Sequence, residues 1–218
     1  YPYQKGNAKL QLLLLWQGLV RFRTKRQQQA FAPPVANGTG VINNMTTQQI
    51  VDQALAWFDS GHFKTTLASR VAIPSESQRT DRDDQLTRYY NEAFIPAFQE
   101  MGFTTEVIAN PVNAARPFLL ASREEDPTLP TVMCYGHGDV VFGDDERWAE
   151  GLSPRTLVER DGNWYGRGAA DNKGQHSVNL AALAQVHHAR NGRLGLPCVW
   201  PCEMGEEMSS PGLAAVCE

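Results

Sequence analysis

The chain has 218 residues, and its 42% hydrophobic content is enough to bury a sizeable core. Its 20 basic and 24 acidic residues give a net charge of -4, and no basic stripe runs along it, which argues against a nucleic-acid partner. The four cysteines have neither the paired spacing of a zinc site nor the density of a disulfide scaffold, which favours reduced thiols in a cytoplasmic protein. They are Cys134, Cys198, Cys202 and Cys217.

The first 44 residues differ in character from the rest. The apolar run at residues 10–20 is too short to cross a bilayer, and a basic cluster follows it where a signal peptide would have small residues. We therefore expect no targeting segment and no membrane partner. Without a sustained helix or strand period, residues 1–44 are interpreted as a non-native or disordered extension that lies outside the fold.

The folded domain is expected to span residues 45–218. Thr46 and Thr47 are possible N-caps, and Ile50, Ala54 and Phe58 follow at helical spacing, which predicts the first helix. A second helix is predicted over residues 84–101, with Gly102 as its C-terminal cap.

Strands and helices then alternate along the sequence. The segments TTEVIA, PFLLAS, PTVMCYG and LPCVWPCE are predicted strands, and a helix is predicted from Gly174 through HSVNLAALAQVHHA. Pro201 would be unusual in a central strand because it has no N–H to donate. The succession predicts an α/β fold, with a mixed, largely parallel sheet flanked by helices and with ligand sites at the carboxyl ends of its strands.

Three motifs with acidic residues follow predicted strands or turns. GHGDVV contains His137 and Asp139, GRGAADNKG contains Asp171, and EMGEEMSSPG contains Glu206 and Glu207. The intervals between them are long enough for one crossover unit each, so three strand ends can converge on one crevice.

An imidazole together with several carboxylates is a typical ligand set for zinc, and one carboxylate can bridge two ions. Asp171 is the candidate bridge, and Asp139 is placed to orient His137 by accepting its second N–H. Of Glu206 and Glu207, one can bind metal while the other holds a water beside it, which suits hydrolysis.

Each motif taken alone also fits an ordinary structure. A His-x-Asp pair can be a polar turn, a glycine-rich segment with one Asp can be a capped helix start, and two glutamates are usually a solvated surface. A different two-metal site, such as that of a phosphatase, would need basic residues near the metals, and Lys173 and Arg167 are available for it. The joint occurrence of the three motifs favours the hydrolase interpretation.

Together the motifs resemble those of the two-metal peptidase and amidohydrolase family that contains acetylornithine deacetylase, succinyl-diaminopimelate desuccinylase, aminoacylase and carnosine-type dipeptidases. The resemblance implies a zinc-exopeptidase-like catalytic domain with two divalent metal ions, zinc by default and cobalt or manganese as alternatives. It also implies that His137 binds one ion, Asp171 bridges both, Glu207 binds the second, Glu206 is the general base and Asp139 orients His137. The bond after the bridging Asp171 is expected to be cis.

The resemblance further implies that residues 45–218 are the N-terminal part of a longer catalytic domain. We expect the remaining ligands and the lid or dimerisation domain to be absent, a homodimer only for the full-length protein, and exposed apolar surface with poor solubility. The expected function is metal-dependent hydrolysis of an amide or peptide bond in a small amino-acid derivative or dipeptide. The alternative is a catalytically inactive fragment of such an enzyme.

Overall fold

The computed structural model describes residues 45–218 and one short strand near the N-terminus, β1 (Tyr3–Gln4). β1 pairs antiparallel with the strand Asn163–Tyr165. The interpretation of residues 1–44 therefore falls, apart from this strand, outside the described residues.

The first predicted helix is confirmed as α1 (Thr47–Asp59). Thr46 is its N-cap and forms a capping box with Gln49: the Thr46 hydroxyl accepts from the Gln49 N–H, and the Gln49 side chain accepts from the Thr46 N–H. A tight turn at Gly61, which has φ of 88°, leads into α2 (His62–Val71), a helix that the sequence analysis did not identify.

The second predicted helix is confirmed as a continuous helical stretch made of several segments. A 3-10 turn (Thr80–Arg82) leads into α3 (Asp83–Tyr89), a π-helical turn (Tyr90–Phe94) and α4 (Ile95–Glu100). Pro96 has no N–H to donate to the carbonyl four residues before it. The preceding Ile95 N–H donates to the Tyr90 carbonyl, five residues before it rather than four, which is the i to i-5 pattern of a π turn. The stretch ends before Gly102, whose φ is 73°.

A five-stranded sheet forms the centre of the domain. Its strands are β2 (Thr104–Ile108), β3 (Phe118–Arg123), β4 (Val132–Met133), β5 (Gly136–His137) and β8 (Cys198–Glu203). The order is β2-β3-β8-β4, and β5 also pairs with β8.

The sheet is mixed and flanked by helices, as predicted, but the expectation of a largely parallel sheet is wrong for the described strands. β3 pairs antiparallel with both β2 and β8, and only the short strands β4 and β5 run parallel to β8. The connection between β2 and β3 spans residues 109–117, which is too short for the crossover that a parallel pair requires.

Pro201 lies inside β8, opposite Leu120 of β3. On the other side of β8, pairing with β4 ends at Val199 and pairing with β5 resumes at Cys202. The break between β4 and β5 thus lies beside Pro201. Because pairing is interrupted there, a residue without an N–H is tolerated in this central strand.

The remaining elements surround this sheet. A smaller sheet contains β1, β7 (Asn163–Tyr165) and β6 (Val158–Arg160), in the order β1-β7-β6. The long helix α5 (Lys173–Ala189) precedes β8, and α6 (Leu213–Cys217) ends the chain. Two further 3-10 turns cover Asp145–Arg147 and Glu206–Met208.

The buried side chains form two clusters. The larger cluster packs α3, the π turn and α4 against the sheet, and it includes Phe94, Phe98 and Trp200. The smaller packs α1 and α2 against β7, and it includes Phe63 and Trp164. Helix α5 contributes residues to both clusters.

The four cysteines all lie within residues 45–218 and are free thiols. In the described part of the chain, no helix is both long enough and apolar enough to cross a membrane.

Candidate metal centre

Parallel pairing between β5 and β8 brings two of the three motifs together. His137 is the last residue of β5 and pairs with Glu203, the last residue of β8. Both strands end at the same edge of the sheet, so the residues that follow them share one crevice. Asp139 follows β5, and the 3-10 turn containing Glu206 and Glu207 follows β8.

Carboxylates surround the outer nitrogen of His137. Its Nε2 lies 3.2 Å from Asp171 Oδ1 and 3.6 Å from Glu206 Oε2. Ligand atoms of His137, Glu206 and Glu207 all lie within 4.8 Å of one another. All five predicted site residues therefore occupy one cluster, with Asp139 on the opposite side of the imidazole.

Asp139 connects the two strand ends. Its backbone carbonyl oxygen and its buried carboxylate lie 3.2 and 3.3 Å from His137 Nδ1. The carboxylate also accepts the backbone N–H groups of Glu206 and Glu207 at 3.4 and 3.2 Å. A carboxylate held in this way fixes the imidazole and directs Nε2 toward the other carboxylates.

The electrostatics of the cluster favour a cation. Burial alone would lower the pKa of His137, but the hydrogen bond and charge of Asp139, together with Glu206 and Asp171, raise it to about 9. The pKa of Glu207 is raised by burial and by the neighbouring carboxylates, against the opposing effect of His137. An imidazole nitrogen and several crowded carboxylates are the donor set that zinc takes, so the residues present fit a divalent metal ion.

The glycine-rich motif places Asp171 beside this cluster. Gly168 has φ of 78°, and a side chain there would put Cβ 2.8 Å from Val140 Cγ1. The Asp171 side chain is 77% exposed and faces His137 Nε2. The bond from Asp171 to Asn172 is cis, as the family resemblance implied.

The basic residues considered for a phosphatase-like site are engaged elsewhere. Lys173 is buried, and its ammonium donates to the carbonyls of Arg70 and Ile73. Arg167 lies over the Trp148 ring at 5.8 Å. Their positions favour structural roles.

Three buried polar residues behind the site were missed as site residues by the sequence analysis. Asn172 Oδ1 lies 3.3 Å from the His137 backbone N–H and 3.1 Å from His176 Nδ1, and His176 Nε2 lies 2.8 Å from the Tyr89 hydroxyl. Burial, with the nearby positive charges of Arg70 and others, holds the pKa of His176 well below its usual value. The spacing of four between Asn172 and His176 was the available signal, since such residues face each other on a helix.

A buried carboxylate also supports the loop after β8. Glu203 Oε1 accepts the hydroxyl groups of Tyr135 and Ser210 at 2.6 and 2.9 Å. Burial raises the pKa of Glu203. The contact with Ser210 ties the far end of the turn that carries Glu206 and Glu207 back to β8.

A groove of about 730 Å³ lies away from the motifs, between the end of α4, β2, β3 and the end of α5. Arg123 lines it, but the guanidinium donates to Glu125 and to the carbonyls of Met101 and Gly192. The groove lacks the convergent carboxylates of the cluster around His137.

Comparison with known proteins bears on this centre. Residues 133–218, which carry all three motifs, match the profile of Peptidase family M20/M25/M40. The match confirms, over these residues, the resemblance drawn from the motifs.

Several curated proteins are similar over parts of the chain. A cysteinylglycine-S-conjugate dipeptidase of Corynebacterium striatum is 36% identical over 102 residues, which are 46% of this chain and 22% of the relative. A beta-Ala-His dipeptidase of Mus musculus is 52% identical over 59 residues, 27% of this chain and 12% of the relative. An acetylornithine deacetylase of Pasteurella multocida (strain Pm70) is 31% identical over 128 residues, 59% of this chain and 32% of the relative. The matches thus span a third or less of these relatives.

Solved structures share the fold. Human carnosine dipeptidase 1 superposes with a TM-score of 0.64 at 29% identity, covering 76% of this chain and 36% of that one. A di-peptidase of Saccharomyces cerevisiae gives a TM-score of 0.67 at 19% identity, with coverages of 77% and 36%. An M20 family metallo-carboxypeptidase of Sulfolobus solfataricus gives 0.58 at 21% identity, with coverages of 71% and 33%. The last two likenesses concern the fold alone.

Proposed function

We propose that this chain carries part of the active site of a metal-dependent hydrolase that cleaves an amide or peptide bond in a small amino-acid derivative or dipeptide. The observation that carries the proposal is the convergence of Asp171, Glu206 and Glu207 on the His137 imidazole. The names of the similar proteins, two dipeptidases and an acetylornithine deacetylase, support the substrate class.

The residues divide into ligands and supporting groups. His137 would hold one ion through Nε2, Asp171 would bridge two ions, and Glu207 would hold the second. Zinc is the default for this donor set, with cobalt or manganese as alternatives. When bound, such ions lower the pKa of a water and polarise the carbonyl that is attacked.

Glu206 is the proposed general base. Its side chain is 44% exposed and reaches the same nitrogen as the ligands, so it can meet a water in the crevice. It would take a proton from that water and pass it to the leaving amine. Asp139 would keep the His137 ring in place by accepting at Nδ1, as its 3.3 Å separation allows.

One observation favours a second candidate, a chain that binds metal weakly and does not turn over substrate. The aligned part of human carnosine dipeptidase 1 is 36% of that structure, and among the described residues the candidate cluster contains a single imidazole. Ligands from elsewhere would then be needed to complete the site.

Zinc titration by calorimetry, combined with an assay of amine release from dipeptides and N-acyl amino acids, tests the proposal. Glu206→Gln keeps the shape of the side chain but removes the base, so zinc affinity should stay within a few-fold while turnover falls by about 10²–10⁴-fold. Glu146→Gln, at an exposed carboxylate outside the cluster, is the matched control.

Three outcomes are distinct. Amine release that survives a strong chelator would contradict metal dependence, and full activity in Glu206→Gln would contradict the role of Glu206. Zinc binding without amine release from any substrate of the panel would favour the second candidate.

A further inference from the structure

We propose that His176 is a positioning residue for this metal centre. Its Nδ1–H donates to the Asn172 side chain, and Asn172 in turn fixes the position of Asp171 relative to His137. The inference rests on the proposed function and adds a residue that does not touch the metal. It is carried by a chain of hydrogen bonds from α3 to the site.

The orientation of Asn172 follows from its partners. The backbone N–H of His137 can only donate, and it lies 3.3 Å from Asn172 Oδ1. The other side-chain atom, Nδ2, donates to Gln175 Oε1 at 2.8 Å. The atom that faces His137 must therefore be the amide oxygen, which has only acceptor capacity.

This orientation fixes the proton on His176. Its Nδ1 lies 3.1 Å from the same Asn172 oxygen, so Nδ1 must carry the hydrogen. In a neutral ring Nε2 is then the acceptor, and the Tyr89 hydroxyl at 2.8 Å is its donor. The burial of His176 among aromatic rings favours the neutral form.

The surroundings leave the ring little freedom. The Phe94 ring centroid lies 4.5 Å from that of His176, and Tyr89 meets it edge to face. A Cβ at Gly136 would lie 3.0 Å from His176 Cβ and 3.4 Å from Asn172 Oδ1. The glycine before His137 thus allows β5 to approach the Asn172–His176 pair closely.

One oxygen consequently ties two ligand-bearing segments together. Asn172 follows Asp171 directly in the chain, and its Oδ1 accepts from the backbone of His137 in β5. His176 is the second donor to that oxygen, and its other ring nitrogen accepts the Tyr89 hydroxyl of α3. A change at His176 should therefore alter the spacing of Asp171 and His137 without removing any ligand.

Two substitutions separate the two nitrogens of His176. His176→Asn places an amide N–H near the position of Nδ1, so it keeps the donor to Asn172 and loses the acceptor for Tyr89. His176→Gln reaches the position of Nε2, so it keeps the contact with Tyr89 and loses the donor to Asn172. Both remove the same buried ring, so both should lower the melting temperature by similar amounts.

The expected result is a split in zinc affinity between the two variants. We expect His176→Gln to bind zinc about 10–100-fold more weakly than the wild type, the size of effect typical of groups that orient ligands. His176→Asn and Tyr89→Phe should stay within a few-fold of it. Calorimetric titration of zinc into the full chain measures this without any substrate, and a ¹H–¹⁵N spectrum of the imidazoles should place the His176 proton on Nδ1.

The outcomes distinguish this inference from the proposed function. Equal zinc affinity in the two His176 variants, or a proton on Nε2 alone, would overturn the inference and leave the metal centre intact. A wild-type chain that does not bind zinc would overturn the metal centre and the positioning role together.

Discussion

Gly138 lies between His137 and Asp139, two residues of the candidate site, and has no room for a side chain. A Cβ there would lie 2.5 Å from Tyr89 Cδ1 and 2.6 Å from Met204 Cε. Tyr89 is fully buried, so it has little space to move. The glycine of the His-Gly-Asp sequence is thus required by the packing of α3 behind the site.

Gly138→Ala should lower the free energy of unfolding by about 1–3 kcal/mol, the usual cost of overpacking a core. Urea denaturation followed by far-UV circular dichroism measures the change. Gly162→Asn is the control, because Gly162 has open space and a φ of 73° that asparagine tolerates. Equal stability of Gly138→Ala and the wild type would show that Tyr89 can shift aside.

The sequence allowed prediction of the five residues that form the cluster but not of those that support them. His137, Asp171 and Glu207 could be chosen because acidic motifs after strands converge when strand ends meet. Tyr89 lies in a helix whose sequence shows no sign of a site, and the signal for His176 was its spacing of four from Asn172. Their roles also depend on which helix packs against which strand, and residue spacing does not contain that information.

At the scale of elements, Lys173 of α5 closes the C-terminal end of α2. Its ammonium donates to the carbonyl of Arg70 at 3.0 Å and to that of Ile73 at 2.6 Å. It also lies 5.0 Å from the centre of the Tyr89 ring. Lys173 thus adds a second donor to carbonyls at the C-terminal end of the helix, which also accept the N–H groups of Ile73 and Ser75 at 3.3 and 2.9 Å.

Lys173→Met should lower the free energy of unfolding by about 1–3 kcal/mol, because it removes two buried hydrogen bonds while keeping most of the side-chain volume. Thermal and chemical denaturation both measure this effect. Lys64→Met is the matched control on α2 itself: Lys64 forms a partly exposed ion pair with Glu159, and its loss should cost less than about 1 kcal/mol. Similar losses in the two variants would contradict the role given to Lys173.

The elements themselves were largely predictable, but their pairing was not. Apolar and β-branched runs correctly indicated β2, β3 and β8, and Thr46 as a possible N-cap marked the start of α1. Relative strand direction depends on connection length as well as on strand composition, and the short link between β2 and β3 makes that pair antiparallel. The π turn before Pro96 arises from a missing donor, an effect that hydrophobic periodicity does not register.

At the scale of the whole molecule, the outer strands of the described five-stranded sheet expose apolar side chains. Val107 of β2 is 54% exposed, and Met133 of β4 is 73% exposed. Exposed apolar edge strands favour association with other chains. The exposed apolar surface and the poor solubility expected from the sequence remain predictions.

Helix α5 lies between the two buried clusters and is buried on most sides. Leu180, Leu183 and Val186 belong to the cluster on the sheet, whereas Val178 and Ala181 belong to the cluster under α1 and α2. The motif that carries Asp171 leads directly into this helix. The site is therefore attached to a helix that contributes buried side chains to both clusters.

Because α5 is shared by both clusters, its amide hydrogens should exchange with solvent only when the whole domain unfolds, whereas those of the half-exposed α1 should exchange through local opening. Hydrogen exchange read by mass spectrometry should thus give α5 protection equal to the global free energy of unfolding. Faster exchange in α5 would mean that the two clusters unfold separately. With a shared helix, they form a single cooperative unit, and the segment bearing Asp171 stays in place for as long as the domain is folded.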